Sequence, residues 1–122
     1  MDDVYELFRR GTDLLEGGHH HQAIVPLTRA RDLAPDKASI REALGRALFH
    51  AQRYEQAALE FEAVTEHAPT NDYAQFCLGR AMQLLGRHRE ACKPLALACS
   101  LAPERADYRL YRERARRDAE RD

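Results

Sequence analysis

The sequence has little of what would indicate a membrane, secreted or nucleic-acid-binding protein. No apolar run among its 122 residues approaches the roughly 20 residues of a membrane span. Three cysteines, an odd number without paired spacing, argue against a disulfide framework and favour a reducing, cytoplasmic compartment. The formal net charge is −1, whereas a general nucleic-acid binder needs an overall basic surface. We therefore expect neither a membrane nor a nucleic acid as a partner.

Lysine is also scarce, with Lys37 and Lys93 the two lysines among 19 basic residues. The remaining 17 are arginines, an excess that hints at a GC-rich bacterial genome. The first residues, MDDVYELF, are acidic and amphipathic, so we do not expect a secretory signal. The hydrophobic content of 44% is enough for one domain with a continuous but thin core.

The stretch from Ser39 to Pro69 is a unit that the rest of the chain repeats. Each half carries apolar residues at the spacing of one helix face, and Gln52-Arg53 lies at the break. This pattern predicts a helical hairpin that ends at a proline. Gly45 lies inside the first helix, where glycine costs about 1 kcal/mol relative to alanine. We therefore expect a neighbouring helix to need the missing side chain, with Ala57 as the small residue that permits its approach.

When the sequence is aligned with itself so that Gly11 falls on Gly45, this unit matches one unit before it and one after it. We call this shift the repeat period. Three sets of residues then coincide: Gly11, Gly45 and Gly79; Ala23, Ala57 and Ala91; Pro35, Pro69 and Pro103. The other two prolines, Pro26 and Pro94, lie two periods apart. Because proline removes one backbone hydrogen bond, we expect Pro26 to kink its helix on the outer side.

Helix pairs with a period of about 34 residues and this order of leucine-glycine, alanine, aromatic and proline resemble the tetratricopeptide repeat family. The resemblance covers about residues 4–37, 38–71 and 72–105 and implies one all-α domain over residues 1–122. It implies a right-handed α-solenoid of three helix-turn-helix units. The sequence departs from the family pattern at the early tryptophan, which is replaced by Leu7, Arg41 and Gln75. The tyrosine three residues after the glycine is replaced by Leu14, Leu48 and Met82.

Several residues predict where the helices begin and end. Gly17-Gly18 ends the first helix, and Gly86 is a C-cap candidate for the fifth. The candidate N-caps are Asp2 or Asp3 for the first helix, Asp36 or Ser39 for the third, and Asn71 or Asp72 for the fifth.

Residues 106–120 break the repeat pattern and predict one more helix. Its apolar stripe is Tyr108, Tyr111, Ala115 and Ala119, and arginines and acids alternate elsewhere. This pattern is typical of a solvated, salt-bridged face. We interpret the segment as the solvating helix that closes a repeat array, which resembles the family's own arrangement. The alternative is an electrostatic arm.

Two groups of residues invite a metal or redox interpretation. His19, His20 and His21 are adjacent, and consecutive helix residues point about 100° apart, so the three cannot face one ion. A solvated helix start is the better interpretation. Cys92 and Cys99 are about 10 Å apart along one helix, which is too far for a disulfide. We expect them to pack as small apolar residues, and we expect no metal and no cofactor.

The resemblance places the first helix of each unit on the concave side of the solenoid. The concave residues would be Tyr5, Phe8, Thr12, Glu42, Arg46, Phe49, His50, Tyr73, Phe76, Arg80 and Gln83. Aromatic plates with two arginines one repeat period apart suit an extended peptide with an acidic side chain or a free carboxylate. In the alternative interpretation the aromatics fill gaps between helices, and the arginines pair with Glu42 and other local acids.

One activity of the family is not expected here. Family members that hold the carboxylate of chaperone tails use lysine, asparagine and arginine at set positions. The residues at those positions are Phe8, Thr12, Ala43, Tyr73 and Cys77, and none of them can supply that clamp.

The leading hypothesis is a non-catalytic interaction module that binds a protein segment in its concave groove. No Gly-rich loop follows a strand, no serine sits in a nucleophile elbow, and His50, His67 and His88 lie in different units. We therefore expect no enzymatic activity. The alternative is a self-assembling protein whose N-terminal helix pairs two chains through Val4, Leu7 and Phe8, since three units are near the minimum for independent stability.

Overall fold

The computed structural model describes residues 3–121, which form helices joined by short turns. The helices are α1 (Val4–Glu16), α2 (His20–Leu33), α3 (Ala38–His50), α4 (Tyr54–His67), α5 (Asp72–Leu84), α6 (His88–Leu101) and α7 (Ala106–Arg121). Each helix packs on its neighbours in the chain, and α1 and α5 also contact α3 and α7, respectively. The described part of the chain contains no strand. This all-α helical repeat confirms the predicted fold class.

The helices repeat in step with the sequence. The first helices of the three hairpins start at residues 4, 38 and 72, and the second helices start at residues 20, 54 and 88. Helix α7 starts at residue 106, which is one further repeat period after the start of α5. It therefore occupies the position of a first helix in a fourth unit.

The three glycines lie where the two helices of each hairpin touch. A Cβ atom added to any of them would lie within 3.0 Å of a large side chain sixteen residues later; the pairs are Gly11–Leu27, Gly45–Phe61 and Gly79–Leu95. The alanines at the facing level, Ala23, Ala57 and Ala91, are fully buried. The prediction that the missing side chains permit close helix packing is confirmed.

The residues that replace the family's tryptophan have a structural role that the sequence did not suggest. Nε of Arg41 donates a hydrogen bond to the carbonyl oxygen of Pro35 at 2.7 Å. Nε2 of Gln75 donates in the same way to Pro69 at 3.0 Å. Arg109 on α7 donates to the carbonyl of Pro103. Each inter-unit turn is therefore tied to the helix that follows it, including the turn before α7.

The turn inside each hairpin needs a left-handed residue at one position. Gly18, Gln52 and Gly86 occupy this position with φ angles of 82°, 64° and 79°. Glycine adopts this conformation without steric cost, whereas glutamine is strained there. Gly17 and Leu85 are the C-caps of α1 and α5, so the predicted C-cap Gly86 lies one residue beyond the cap.

The predicted helix ends were partly right. The Asp3 carboxylate accepts from the Glu6 backbone N–H, and the Asn71 side chain accepts from Ala74. Asp2 lies outside the described residues. The expectation of Asp36 or Ser39 as the N-cap of α3 was wrong, because Lys37 takes that place without a side-chain hydrogen bond.

The expected location of Pro26 was also wrong. Pro26 and Pro94 are buried among the residues that α2 and α6 present to the rest of the chain, not on an outer side. The apolar ring of each proline therefore adds to the packed face of its helix.

Helix α7 covers the last hairpin. Tyr108 is fully buried, its ring stacks on Phe76 with centroids 4.4 Å apart, and its hydroxyl donates to Asp72 at 3.0 Å. Ala115 is also fully buried and lies in a cluster with Ala91 and Leu95. The apolar stripe of α7 therefore packs on the third hairpin, as the sequence predicts.

A charged cluster joins the first two hairpins. Glu60 on α4 is only 5% exposed and accepts hydrogen bonds from Arg31 at 2.6 Å and from Arg41 at 3.0 Å. Burial lowers the pKa of Arg31, but its hydrogen bonds with Glu60 and Asp32 hold that pKa above its ordinary value. Glu60 lies at the position that proline takes in the other two units, so the sequence comparison points to the place where the units differ.

Candidate functional site

Six of the eleven predicted groove residues line one open cavity of about 400 Å³. They come from α3 and α5, the first helices of the second and third hairpins: Arg46, Phe49, His50, Tyr73, Phe76 and Arg80. The cavity forms because α3 and α5 are neighbouring first helices whose side chains recur at the same register. Its volume lies within the range of about 300–1,000 Å³ that is usual for ligand pockets.

Four residues that the sequence did not predict also line the cavity. Phe61 and Cys77 belong to the hairpins, whereas Asp107 and Tyr111 come from α7. A signal for the last two was present, because they lie one repeat period after Tyr73 and Cys77 and so share their register. The interpretation of residues 106–120 as a cap alone did not predict that they line the cavity.

The other predicted groove residues do not line this cavity, and four of them make contacts of their own. Phe8 packs against the core and Thr12 donates to the carbonyl of Arg9. Glu42 accepts from Asn71 at 3.3 Å, and Gln83 donates to the carbonyl of Tyr111 at 2.9 Å. The fifth residue, Tyr5, is 69% exposed on α1.

The two predicted arginines differ in what they contact. Arg80 is half-buried, donates to Gln83 at 2.9 Å and lies 3.9 Å from the centroid of the Tyr111 ring. Arg46 is exposed, and it makes no hydrogen bond or ion pair with any residue between 3 and 121. The expected alternative of an arginine paired with Glu42 therefore does not occur at Arg46, since Glu42 bonds Asn71 instead.

The cavity is apolar and carries positive charge. Its single acidic residue, Asp107, is held by Arg105 through contacts of 3.0 and 2.8 Å, so its charge is already compensated. This leaves the guanidinium groups of Arg46 and Arg80 beside the rings of Phe49, Tyr73 and Phe76. Such a surface complements an anionic group attached to an apolar or extended segment.

Two titratable groups in the cavity stay neutral near neutral pH. Burial raises the pKa of the Cys77 thiol to about 12, and burial raises the pKa of Tyr73 well above its ordinary value. A thiolate is the nucleophilic form of cysteine, so Cys77 is a packing residue rather than a reactive one.

The histidines beside the turn at Gly17-Gly18 differ from the expected solvated helix start. His19 and His21 are exposed, but His20 is half-buried and stacks on His50, with ring centroids 4.5 Å apart. His50 therefore connects the cavity to the contact between α2 and α3. Between residues 3 and 121, no group of three or more histidines, cysteines, aspartates and glutamates is placed to hold a metal ion. None of the described helices is long and apolar enough to cross a membrane.

The sequence profile of the tetratricopeptide repeat family matches residues 14–77, slightly more than half of the chain. The chain belongs to the tetratricopeptide repeat family. The curated relatives of this repeat protein include Superkiller complex protein 3 from Mus musculus, 34% identical over 83 residues, and its counterpart from Homo sapiens, 32% identical. These matches cover 68% of the chain but 5% of either relative.

Solved structures confirm the repeat fold. A structure of MamA AMB-1 has a TM-score of 0.89 and 26% identity, and the match covers 98% of this chain and 70% of that one. The first tetratricopeptide domain of Spaghetti, bound to an HSP90 peptide, has a TM-score of 0.86 over 93% of this chain and 90% of that one. At 18% identity the second likeness concerns the fold alone.

Proposed function

We propose that this tetratricopeptide repeat chain is a non-catalytic interaction module that binds a protein segment in the cavity between α3, α5 and α7. The observation that carries the proposal is the exposed guanidinium of Arg46, which has no hydrogen-bond or ion-pair partner among the described residues and lies beside three aromatic side chains. A peptide-bound relative in fold, the Spaghetti domain, supports a protein segment as the ligand.

The chemistry of the cavity selects a particular segment. Arg46 would bind a carboxylate, either of an acidic side chain or of a chain terminus, and Phe49, Tyr73 and Phe76 would pack against apolar side chains next to it. The guanidinium group of Arg80 is already stacked on Tyr111. Its charge would therefore attract the approaching ligand more than its N–H groups would hydrogen-bond to it.

The experiment is a selection from a displayed peptide library, followed by titration calorimetry with the enriched peptides. We expect enrichment of peptides that combine an acidic group with apolar residues. Loss of one charge-assisted hydrogen-bonded contact costs about 1.5–3 kcal/mol, so Arg46→Ala should weaken binding by about 10- to 100-fold. Arg10→Ala, which removes an exposed arginine on α1 away from the cavity, is the matched control.

Unchanged binding by a variant that carries both Arg46→Ala and Arg80→Ala would exclude the cavity as the binding site. Peptides bound only through α1 or α2 would exclude it as well. The same peptides with the acidic group amidated should bind as weakly as acidic peptides bind the Arg46→Ala variant.

Self-assembly is the alternative, and burial limits which residues of α1 could contact a second copy. Leu7 is only 1% exposed and packs with Ala30 and Ile40 of its own chain, so it cannot serve as a contact with a second copy. Tyr5, 69% exposed on the same helix, is the large side chain that such a contact would use. Sedimentation that shows a strict monomer at high micromolar concentration would exclude this alternative.

The proposal includes a reducing, cytoplasmic setting. Cys77, Cys92 and Cys99 are all free thiols, which supports it. The bacterial origin that the arginine excess suggests stays a prediction.

A further inference from the structure

We call the contact between the second helix of one hairpin and the helix that follows it a joint, and equivalent sequence positions recur at the three joints. Each joint pairs the first residue of a second helix (20, 54 or 88) with a residue in the last turns of the following first helix (50, 84 or 118). Both numbers rise by one repeat period from each joint to the next. The residues at these positions are His20 and His50, Tyr54 and Leu84, and His88 and Asp118; the first two are stacked, and the last two lie 3.9 Å apart.

The first joint brings two imidazoles into direct contact. The rings of His20 on α2 and His50 on α3 are stacked, with an interplanar angle of 23° and centroids 4.5 Å apart. Nδ1 of His20 is buried without a hydrogen-bond partner. A proton placed on both rings would set two like charges face to face and would leave an N–H donor buried without an acceptor.

The surroundings of this stack offer no compensating negative charge. The charged neighbour that acts on His50 is Arg46, one turn earlier on α3, and Phe49, whose ring also contacts Tyr54, supplies the aromatic contact to His50. Between residues 3 and 121 no carboxylate forms a hydrogen bond or ion pair with His20 or His50. Burial, His20 and Arg46 together lower the pKa of His50. The folded joint therefore favours the neutral imidazole.

The third joint has the opposite electrostatics at the same positions. Nδ1 of His88 is also buried without a hydrogen-bond partner, but it lies 3.9 Å from a carboxylate oxygen of Asp118 on α7, close enough for an ion pair. A protonated His88 would face an opposite charge. The middle joint has neither an imidazole nor a carboxylate at these positions, so the chain contains its own controls.

We propose that the first joint is a pH-sensitive hinge, in which protonation of the His20–His50 stack loosens the contact between α2 and α3. The joint between α6 and α7 keeps its packing under the same conditions. Because the neutral form is favoured when the joint is closed, opening takes up a proton. Opening therefore becomes easier as the pH falls below the ordinary histidine pKa of about 6.5. Since His50 also lines the cavity, the loosened joint would change the cavity at one end.

Hydrogen exchange measured by mass spectrometry tests the hinge on the full chain, without any ligand. Protection, corrected for intrinsic exchange, is compared between about pH 7.5 and about pH 5.5, where carboxylates stay ionised. We expect protection in α1, α2 and the end of α3 to fall by up to about tenfold per pH unit, because one proton is taken up. Protection in α6 and α7 should change much less.

Three variants separate the hinge from a general effect of acid. His50→Gln removes the stacked base and should abolish the selective loss, whereas His67→Gln, at an exposed histidine of α4, should retain it. If His50→Gln fails to fold, His20→Phe keeps a stacked ring without a second titrating group and should reduce the loss. A parent chain that loses protection equally in α2 and α6 would overturn the proposal. So would a folded His50→Gln or His20→Phe variant with an unchanged pH response.

Discussion

Replacement of Glu60 by glutamine should destabilise the chain through the joint between the first two hairpins. Glu60 is 5% exposed and bonds two arginines, whose side chains are 28% and 25% exposed. Each charge-assisted hydrogen bond contributes about 1.5–3 kcal/mol, and removal of one member of a buried ion pair costs about 3–5 kcal/mol. Glutamine keeps one neutral hydrogen bond, and the arginines are partly hydrated. We therefore expect a loss of about 2–4 kcal/mol.

Urea unfolding followed by circular dichroism, at neutral pH and fixed salt, measures this loss. The matched control is Glu62→Gln, an exposed glutamate two residues away on the same helix. Substitutions at exposed positions usually change stability by less than about 0.5 kcal/mol. In a chain of this size the loss at Glu60 corresponds to a fall in Tm of about 10 °C. If both variants lie within about 0.5 kcal/mol of each other, the reasoning about the buried cluster is wrong.

A second variant tests whether the cost comes from unpaired charge. The next joint has Thr65, Gln75 and Pro94 where the first joint has its charged cluster. The triple variant Arg31→Thr, Arg41→Gln, Glu60→Met removes all three charges, keeps the backbone hydrogen bond that a proline at position 60 would lose, and leaves no buried charge without a partner. We expect it to be more stable than Glu60→Gln alone. A triple variant that is less stable would show that the cluster contributes net stability beyond its own desolvation cost.

Two further predictions concern backbone and packing, and urea unfolding measures both. Gln52→Gly should stabilise the chain by about 0.5–1 kcal/mol, because position 52 has a φ of 64° and the equivalent positions hold glycine; an unchanged or lower stability would contradict the strain at Gln52. Gly79→Ala should destabilise it by about 1–2 kcal/mol, because the new Cβ would lie 2.5 Å from Cγ of Leu95 and 3.4 Å from the carbonyl oxygen of Ala91. This net loss already includes a gain of about 1 kcal/mol in helix propensity. A Gly79→Ala variant more stable than the parent would show that the helices can separate easily.

The sequence by itself determined the architecture of this protein. The regular recurrence of glycine, alanine and proline reports which residues lie between helices, because close packing tolerates only small side chains at those points. The change of pattern after Pro103 likewise predicted α7, since a helix that packs on one side and meets water on the other has an apolar inner stripe and a polar outer face. These features are local or repeat at a fixed interval, and periodicity reveals both.

Only the tertiary structure decided which side chains meet across the joints. Three sets of contacts depend on how one hairpin lies against the next. They are the two arginines bound by Glu60, the bonds from Arg41 and Gln75 to proline carbonyls, and the stack of His20 on His50. The lining of the cavity also depends on tertiary packing, because Tyr111 reaches it only when α7 packs in the position of the first helix of a fourth unit. The repeat period specifies the position of each residue along the solenoid. The distance between side chains of neighbouring units follows from helix packing, which the order of residues does not display.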